Sequence, residues 1–131
     1  MFIDASVICA IILPEPDGDA LLARMMAMEI KVSSPTAVWE ATVAITRIRR
    51  LSLDQAHALV VDLFVSTGVR LNPVPPEAAA LAIDAYRRFC KGRHPAGLNF
   101  GDCFAYACAR HYKVPLLYNG GDFALTDVET A

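Results

Sequence analysis

The chain has 131 residues and a mass of 14.2 kDa, which suits one domain large enough to bury roughly two-thirds of the surface that its unfolded form would expose. Hydrophobic residues make up 55% of it, yet no apolar run approaches the ~18 residues that would cross a bilayer, so we expect no membrane span. With a formal net charge of −2, the chain lacks the overall positive field of a nonspecific nucleic-acid binder, and any contact with nucleic acid must be local.

The first half of the chain alternates between short strand-like and longer helix-like segments. A strand over 2–4 is followed by an apolar helix that Pro14 and Pro16 break, because proline cannot donate to the helical ladder. Ser34 and Ser52 precede apolar residues at helical spacing and are typical N-caps. The segments predicted beyond these prolines are a helix over 17–29, a strand over 30–33 and helices over 35–50 and 53–68.

The second half continues the same alternation. Asn99 can cap a helix, and Asn99 and Asp102 have the spacing of a capping box, with Asp in place of the usual Glu or Gln. The predicted elements are strands over 69–72, 114–118 and near 127–128, and helices over 76–86 and 100–112. Strands separated by helices favour a parallel sheet, because parallel neighbours need helical crossovers. We therefore expect one α/β domain over residues 1–131, with a short, mostly parallel central sheet and helices on both faces.

Four acidic residues stand where they could meet at one edge of this sheet. In such folds ligands bind beyond the carboxyl ends of the strands. Asp4 ends the first strand, and Asp122 lies in the turn after the fourth. Asp102 lies in the first turn of one helix and Glu40 one turn into another. Alone, Asp102 is explained by the positive end of its helix and Asp122 by its turn, but together the four predict a catalytic site.

Converging carboxylates repel one another and need a cation. Two unit charges about 5 Å apart cost about 3 kcal/mol at an effective dielectric constant of about 20. Ligation by oxygen alone favours Mg²⁺ or Mn²⁺ over zinc, which would recruit His or Cys. Such an ion can polarise a phosphodiester and lower the pKa of an attacking water, so hydrolysis of a phosphodiester is the natural chemistry. The sequence has no G-x-x-x-x-G-K phosphate loop and no G-x-S-x-G nucleophile elbow that would indicate another reaction.

The cysteines and the N-terminus bear on the compartment. Cys9, Cys90, Cys103 and Cys108 contain no C-x-x-C pair and lie in apolar surroundings, so we expect buried thiols rather than disulfides or zinc ligands. Asp4 falls where a signal peptide would carry positive charge. We expect a cytoplasmic protein.

Short motifs spread over nearly the whole chain, in order and at appropriate separations, resemble those of VapC toxins, which are PIN-domain ribonucleases of toxin–antitoxin pairs. The motifs are Ile3-Asp4-Ala5-Ser6, Trp39-Glu40, Leu98-Asn99-Phe100-Gly101-Asp102, Gly121-Asp122-Phe123 and Thr126-Asp127. This resemblance implies a three-layer α/β/α sandwich of the PIN-domain kind.

The resemblance also implies the roles of the site residues. Mg²⁺, or Mn²⁺ in its place, would be held mainly by Asp4 and Asp102. Glu40 and Asp122 would complete the catalytic group. Two further residues would support it: Ser6, by a hydrogen bond to the first Asp, and Asp127, as an outer member of the acidic site.

The activity that the resemblance implies is a Mg²⁺-dependent endoribonuclease, which hydrolyses RNA with a metal-activated water and acts as a toxin neutralised by a cognate antitoxin. It also implies a homodimer, for which apolar surface on the helices from Pro35 to Gly68 is the expected interface. Similar sequences often carry Lys after the fourth strand, where this chain has Asn119. A catalytically weak or inactive PIN-like module that only binds another protein is therefore the alternative. An aspartate-based phosphatase is disfavoured, because it usually has a second Asp two residues after its nucleophile, where this chain has Ser6.

The basic stretch from Arg87 to His94 offers a contact for RNA phosphates, which carboxylates cannot bind. It is interpreted either as a solvated helix end or as an RNA-binding segment beside the acids. Arg47, Arg49 and Arg50 form a second candidate, or could serve an antitoxin. The RNA-binding candidates in the stretch are Arg87, Arg88, Lys91 and Arg93.

Overall fold

Four parallel strands of two residues each form the sheet in the computed structural model, which describes residues 1–131. The strands are β1 (Phe2–Ile3), β2 (Val32–Ser33), β3 (Arg70–Leu71) and β4 (Leu116–Leu117). The helices are α1 (Ala5–Ile12), α2 (Gly18–Met26), α3 (Pro35–Arg49), α4 (Leu53–Thr67), α5 (Ala78–Phe89) and α6 (Phe100–Tyr112), and a 3₁₀ turn covers Phe123–Leu125.

The strand order is β3-β2-β1-β4, so the chain builds the sheet outward from β1 and then returns to pair β4 with its other side. Phe2 is in register with Val32 on one neighbour and with Leu116 on the other. This reversal of direction between β1 and β4 is the kind of switch point beside which parallel α/β folds bind ligands. We therefore expect a ligand to bind beside the segments that follow β1 and β4.

Two hydrophobic cores lie on opposite faces of the sheet. Phe2 and Leu116 pack with α5 and α6 in one core, while Ile3 and Leu117 pack with α1 to α4 in the other. The division follows from the alternation of side chains along a strand, which sends neighbouring residues to opposite faces. The predicted three-layer α/β/α arrangement with a parallel central sheet is thus confirmed.

The predicted helix starts are found at Ser34, Ser52 and Asn99, whose side chains accept hydrogen bonds from backbone N–H groups of α3, α4 and α6. The strands are shorter than predicted, because only two residues of each pair with a neighbour. The predicted final strand near 127–128 was wrong. The C-terminal segment meets β4 in a single bridge between Leu116 and Thr130, and side-chain contacts shape the residues before it.

Three of the four cysteines are buried and Cys9 is half-buried, all as free thiols. Burial raises the pKa of the Cys9, Cys103 and Cys108 thiols, to about 12, 11 and 11 respectively. None of the helices combines the length and the apolar character that crossing a membrane requires.

Candidate active site

Asp4 lies at the carboxyl end of β1 and caps α1, with only 4% of its surface exposed. Its Oδ2 accepts hydrogen bonds from the Ser6 backbone N–H at 3.0 Å and from Ser6 Oγ at 2.5 Å. Ser6 Oγ in turn accepts a hydrogen bond at 2.9 Å from the backbone N–H of Asn119, the second residue after β4. Ser6 therefore joins the two sides of the switch point and fixes the Asp4 carboxylate between them.

Asp102 is held by the first turn of its own helix. The backbone N–H of Asn99 donates to Asp102 Oδ2 at 2.8 Å, and the N–H of Asp102 donates to Asn99 Oδ1 at 3.1 Å. This is the capping box predicted from the spacing, with Asp serving in the position usually taken by Glu or Gln. The carboxylate of Asp102 is thereby kept at the N-terminus of α6, whose positive end favours negative charge.

Glu40 comes from α3 and meets the first turn of α6 at Gly101. A Cβ on Gly101 would lie 2.7 Å from both Cδ and Oε1 of Glu40, a distance that real Cβ atoms do not tolerate. The missing side chain at position 101 thus makes room for the Glu40 carboxylate one residue from Asp102. The sequence motif contained this glycine, but its spacing alone did not reveal what the glycine accommodates.

Asp122 is exposed and begins the 3₁₀ turn after β4. Its negative charge raises the pKa of both Asp4 and Asp102, so it lies near enough to both to act on them. The structure therefore brings all four predicted acids to the same side of the sheet. No three His, Cys, Asp or Glu side chains are close enough, as oriented, to ligate one metal ion together.

The electrostatics of the group are those of uncompensated negative charge. Burial, followed by repulsion from Asp4 and Asp102, raises the pKa of Glu40 to about 7. Burial, followed by repulsion from Asp4 and Asp122, raises the pKa of Asp102 to about 6 despite the hydrogen bond from Asn99. Burial also raises the pKa of Asp4, against the hydrogen bonds from Ser6. The salt bridges of the chain all involve Asp84 or Asp127, so none neutralises this group.

Asp127, predicted as an outer member of the acidic site, is engaged elsewhere. It accepts hydrogen bonds from Tyr106 Oη at 2.7 Å and from Arg88 Nη2 at 2.8 Å, and it lies 3.9 Å from Arg110 Nη1. The Tyr106 hydrogen bond, followed by that of Arg88, lowers the pKa of Asp127. The acids whose charges raise the pKa of Asp4, Glu40 and Asp102 are other members of that group and Asp122. The structure thus gives this residue the part of an anchor for the C-terminal segment.

The basic residues divide into two pairs. Arg87 and Arg88 both reach Asp84 on their own helix, and Arg88 also binds Asp127. Lys91 and Arg93, in the loop before α6, are exposed and enter no salt bridge. The second pair has no acidic partner to compete with a phosphate, whereas Arg87 and Arg88 each have one.

A cavity of about 570 Å³ adjoins Glu40, and its walls include two aromatic residues that sequence reasoning did not assign to a site. Trp39 and Phe100 are 69% and 72% exposed. Trp39 directly precedes Glu40, and only Gly101 separates Phe100 from Asp102. Their place inside the recognised motifs was the only signal in the sequence that could have found them.

The carboxylates fit a divalent cation. The donor set consists of oxygen alone, and the pKa of Asp4, Glu40 and Asp102 is raised first by burial and then by the charges of neighbouring acids. Hard divalent ions such as Mg²⁺ and Mn²⁺ prefer such donors. Binding an ion would remove the repulsion that now favours protonation.

The chain is similar to known proteins over nearly its full length. A family model described as PIN domain matches residues 1–129. Ribonuclease VapC of Mycolicibacterium smegmatis is 37% identical over 129 residues, which are 98% of this chain and 97% of that protein. Ribonuclease VapC30 of Mycobacterium tuberculosis is 36% identical over 131 residues, covering 99% of this chain and 97% of that protein.

The fold has a solved counterpart. The crystal structure of Mycobacterium tuberculosis VapC20, described as a toxin that cleaves the sarcin–ricin loop, superimposes with a TM-score of 0.74 over 99% of this chain and 97% of that one. At 17% identity this likeness bears on the fold alone. The family match and the full-length relatives carry the assignment further: the chain belongs to the PIN-domain family and, within it, to the group of VapC ribonucleases.

Proposed function

We propose that this protein is a Mg²⁺-dependent endoribonuclease whose catalytic group is Asp4, Glu40, Asp102 and Asp122. The observation that supports the proposal is that these acids lie near enough to raise one another's pKa, while no Lys or Arg forms a salt bridge with any of them. Asp4 is buried and Glu40 and Asp102 are half-buried, which is costly for carboxylates without a positive partner, so a cation that they hold is the best explanation.

Asp4 and Asp102 are the proposed metal ligands. Both carboxylates are fixed by hydrogen bonds, from Ser6 and from the Asn99 backbone, which orient them without neutralising them. Mg²⁺ usually binds through one or two carboxylates and keeps several waters, so this pair is sufficient. When bound, the ion would polarise the scissile phosphodiester and lower the pKa of a water.

Glu40 and Asp122 are proposed to complete the site from its two sides. Glu40 approaches from α3 through the space left at Gly101, and Asp122 approaches from the turn after β4. Carboxylates in these positions can accept hydrogen bonds from waters around the ion and orient the one that attacks phosphorus. Ser6 acts through Asp4 and has no direct part in the chemistry.

Cleavage of RNA by single-site variants tests this assignment. Asp4→Asn and Asp102→Asn keep the size of each side chain but remove its charge, and each should lower the rate with Mg²⁺ at least 100-fold, as expected when metal ligation is lost. The matched control is Asp62→Asn, an exposed acid on α4. Unchanged cleavage in both site variants would rule the assignment out.

A metal titration separates this proposal from the alternative of a binding module without turnover. A ligand that binds only the folded state raises the Tm, so Mn²⁺ should stabilise the wild-type protein and leave Asp4→Asn nearly unaffected. No shift at millimolar Mn²⁺ would favour the binding module.

The proposed partners are an RNA substrate and a cognate antitoxin. The relatives named above are ribonucleases called VapC, and VapC20 is described as a toxin. Of the four basic candidates, Lys91 and Arg93 have their charges free for RNA phosphates, while Arg87 and Arg88 are engaged by acids. The free thiols suit a reducing cytoplasm. Toxicity on expression, relieved by co-expression of an adjacent antitoxin gene, is the test.

A homodimer is proposed as well, with the helices from Pro35 to Gly68 as its interface. The exposed apolar side chains on the far side of this range from Trp39 support it; they are Ile48, Leu53, Val61 and Val65. Light scattering of the purified chain measures the assembly. Val65→Glu should give a monomer if α4 forms the contact, and a dimer that survives this change would move the interface elsewhere.

A further inference from the structure

Trp39 and Phe100 are the most exposed aromatic side chains of the chain, at 69% and 72% of their surface, and both line the cavity of about 570 Å³ beside Glu40. Phe100 contacts the ring of Phe104, with 4.8 Å between the centroids, yet most of the surface of Trp39 and of Phe100 stays exposed to solvent. Two such rings around one cavity therefore indicate a ligand.

The cavity belongs to the same neighbourhood as the acidic group. Glu40 and Gly101 form part of its wall, and Phe100 stands two residues before Asp102. Asn99, on the same wall, uses its Oδ1 to cap α6, while its side-chain amide carries two further donors. The lining thus combines aromatic rings with a neutral hydrogen-bonding group.

Charge determines which part of an RNA could enter. The lining of the cavity contains the carboxylate of Glu40 and no Lys or Arg, so it offers no attraction to a phosphate. The phosphate that is cut has the proposed metal ion as its partner, which leaves this cavity for another part of the RNA. Uncharged bases need no positive partner, and proteins hold unpaired bases by stacking them on aromatic side chains.

We propose that Trp39 and Phe100 form a nucleobase pocket that stacks one unpaired base of a single-stranded RNA beside the carboxylates. The proposal rests on the ribonuclease function and adds to it: the substrate must offer a base that can leave its stack, next to the bond that is cut. A flipped or loop base meets this requirement, and a base within a continuous duplex does not.

The fluorescence of Trp39 tests the pocket directly, because it is the only Trp in the chain. A short single-stranded RNA is titrated into the wild-type protein in EDTA, and electrophoresis verifies that the RNA stays intact. Saturable quenching is expected with this RNA and none with an abasic strand of the same length and charge. Phe100→Ala should weaken the binding of the RNA about tenfold, a loss typical of one stacked base.

Variants connect the pocket to cleavage. Trp39→Ala should raise KM about tenfold, while Trp39→Phe, which keeps an aromatic ring, should restore most of the loss. Ile30→Ala, just before the amino end of β2 and 54% exposed, is the control and should leave KM unchanged.

Two results would overturn the pocket. One is equal quenching by the abasic strand. The other is a change of Trp39 emission with protein concentration alone, together with a monomeric Trp39→Ala protein, which would make this face a contact between two copies of the chain. Either result leaves the ribonuclease function standing if Asp4→Asn still abolishes cleavage, so the two proposals fail separately.

Discussion

Glu40 occupies the space that a side chain on residue 101 would need, since a Cβ on Gly101 would lie 2.7 Å from Glu40 Cδ and closer still to Oε2. Gly101 lies in the first turn of α6, where glycine brings no conformational benefit and, within a helix, costs roughly 0.5–1 kcal/mol relative to Ala. The helix therefore tolerates an unfavourable residue that lets α3 and α6 bring their carboxylates together.

Gly101→Ala should separate stability from activity. The Glu40 carboxyl is the flexible end of its side chain and will move away from the new methyl group, so the free energy of unfolding should stay constant or rise by about 0.5 kcal/mol. Cleavage should fall at least tenfold because Glu40 leaves its position. Denaturant unfolding and the cleavage rate are the two measurements. Gly121→Ala, where an added Cβ would meet nothing within 4 Å, is the control, and equal activity in both variants would contradict this role.

The metal-free protein should lose stability as the pH rises. The pKa of Glu40 is about 7 and that of Asp102 about 6 in the folded chain, both above their ordinary values. Between the ordinary and the raised values the folded state binds more protons than the unfolded state, so the free energy of unfolding falls with pH and levels off above about pH 7. In EDTA the Tm should therefore fall between about pH 5 and about pH 8.

Two variations identify the cause of this pH dependence. Glu40→Gln should reduce the fall in Tm, because it removes the carboxyl whose pKa of about 7 lies within this range. Mn²⁺ at about pH 8 should restore the Tm of the wild-type protein by neutralising the repulsion. A Tm that rises over this range in EDTA would show that other groups control the stability.

Ser6→Ala should damage the site through the two hydrogen bonds that Ser6 Oγ makes. The variant deprives Asp4 of a donor and leaves the Asn119 N–H without its acceptor. Loss of such bonds in a part-buried setting costs about 1–2 kcal/mol, and the affinity for Mn²⁺ should fall because Asp4 is no longer oriented. Isothermal titration and denaturant unfolding measure the two effects. In Ser66→Ala, which removes an exposed bond to Leu63, neither should change appreciably.

Asp127→Asn should act on stability, whereas the loop cations should act on RNA binding. The Asn variant loses the charged partner of Arg88 and Tyr106 and should lower the Tm by several degrees without changing the affinity for Mn²⁺. Lys91→Ala with Arg93→Ala should leave the Tm unchanged and reduce the dependence of RNA affinity on salt. A loss of metal affinity in Asp127→Asn would return this residue to the acidic site.

Asn119→Lys should raise the affinity of the protein for RNA. Asn119 Nδ2 donates to Glu15 at 3.0 Å, and its backbone N–H contacts Ser6, so a Lys there adds a positive charge beside the site. The affinity for single-stranded RNA should rise, and the slope of log K against log salt should steepen by about 0.7, as for one added phosphate contact. Ser66→Lys, on exposed α4, controls for the change in net charge. An unchanged slope would show that position 119 does not reach the backbone of the RNA.

The cap residues and acids of this chain were predictable because their signals are local. A helix start is indicated by a cap side chain that accepts a hydrogen bond from a backbone N–H three residues later, as at Ser34, Ser52 and Asn99. The Asn99–Asp102 capping box formed as its spacing predicts. The sheet was harder to predict, since its strands are only two residues long and the strand expected near 127–128 is replaced by a single bridge at Thr130. Backbone pairing over such short lengths depends on distant partners.

By itself the sequence determined the α/β architecture and the family and predicted the four acids as one site, because hydrophobic spacing, capping residues and ordered motifs can all be read along one dimension. The tertiary structure decided which of the neighbouring charges belong together. It places Asp127 within hydrogen-bond distance of Arg88 and Tyr106, which lie 39 and 21 positions away along the chain. It also gave Glu40 the space at Gly101. Such pairings depend on how helices pack across the sheet, and no local pattern encodes that geometry.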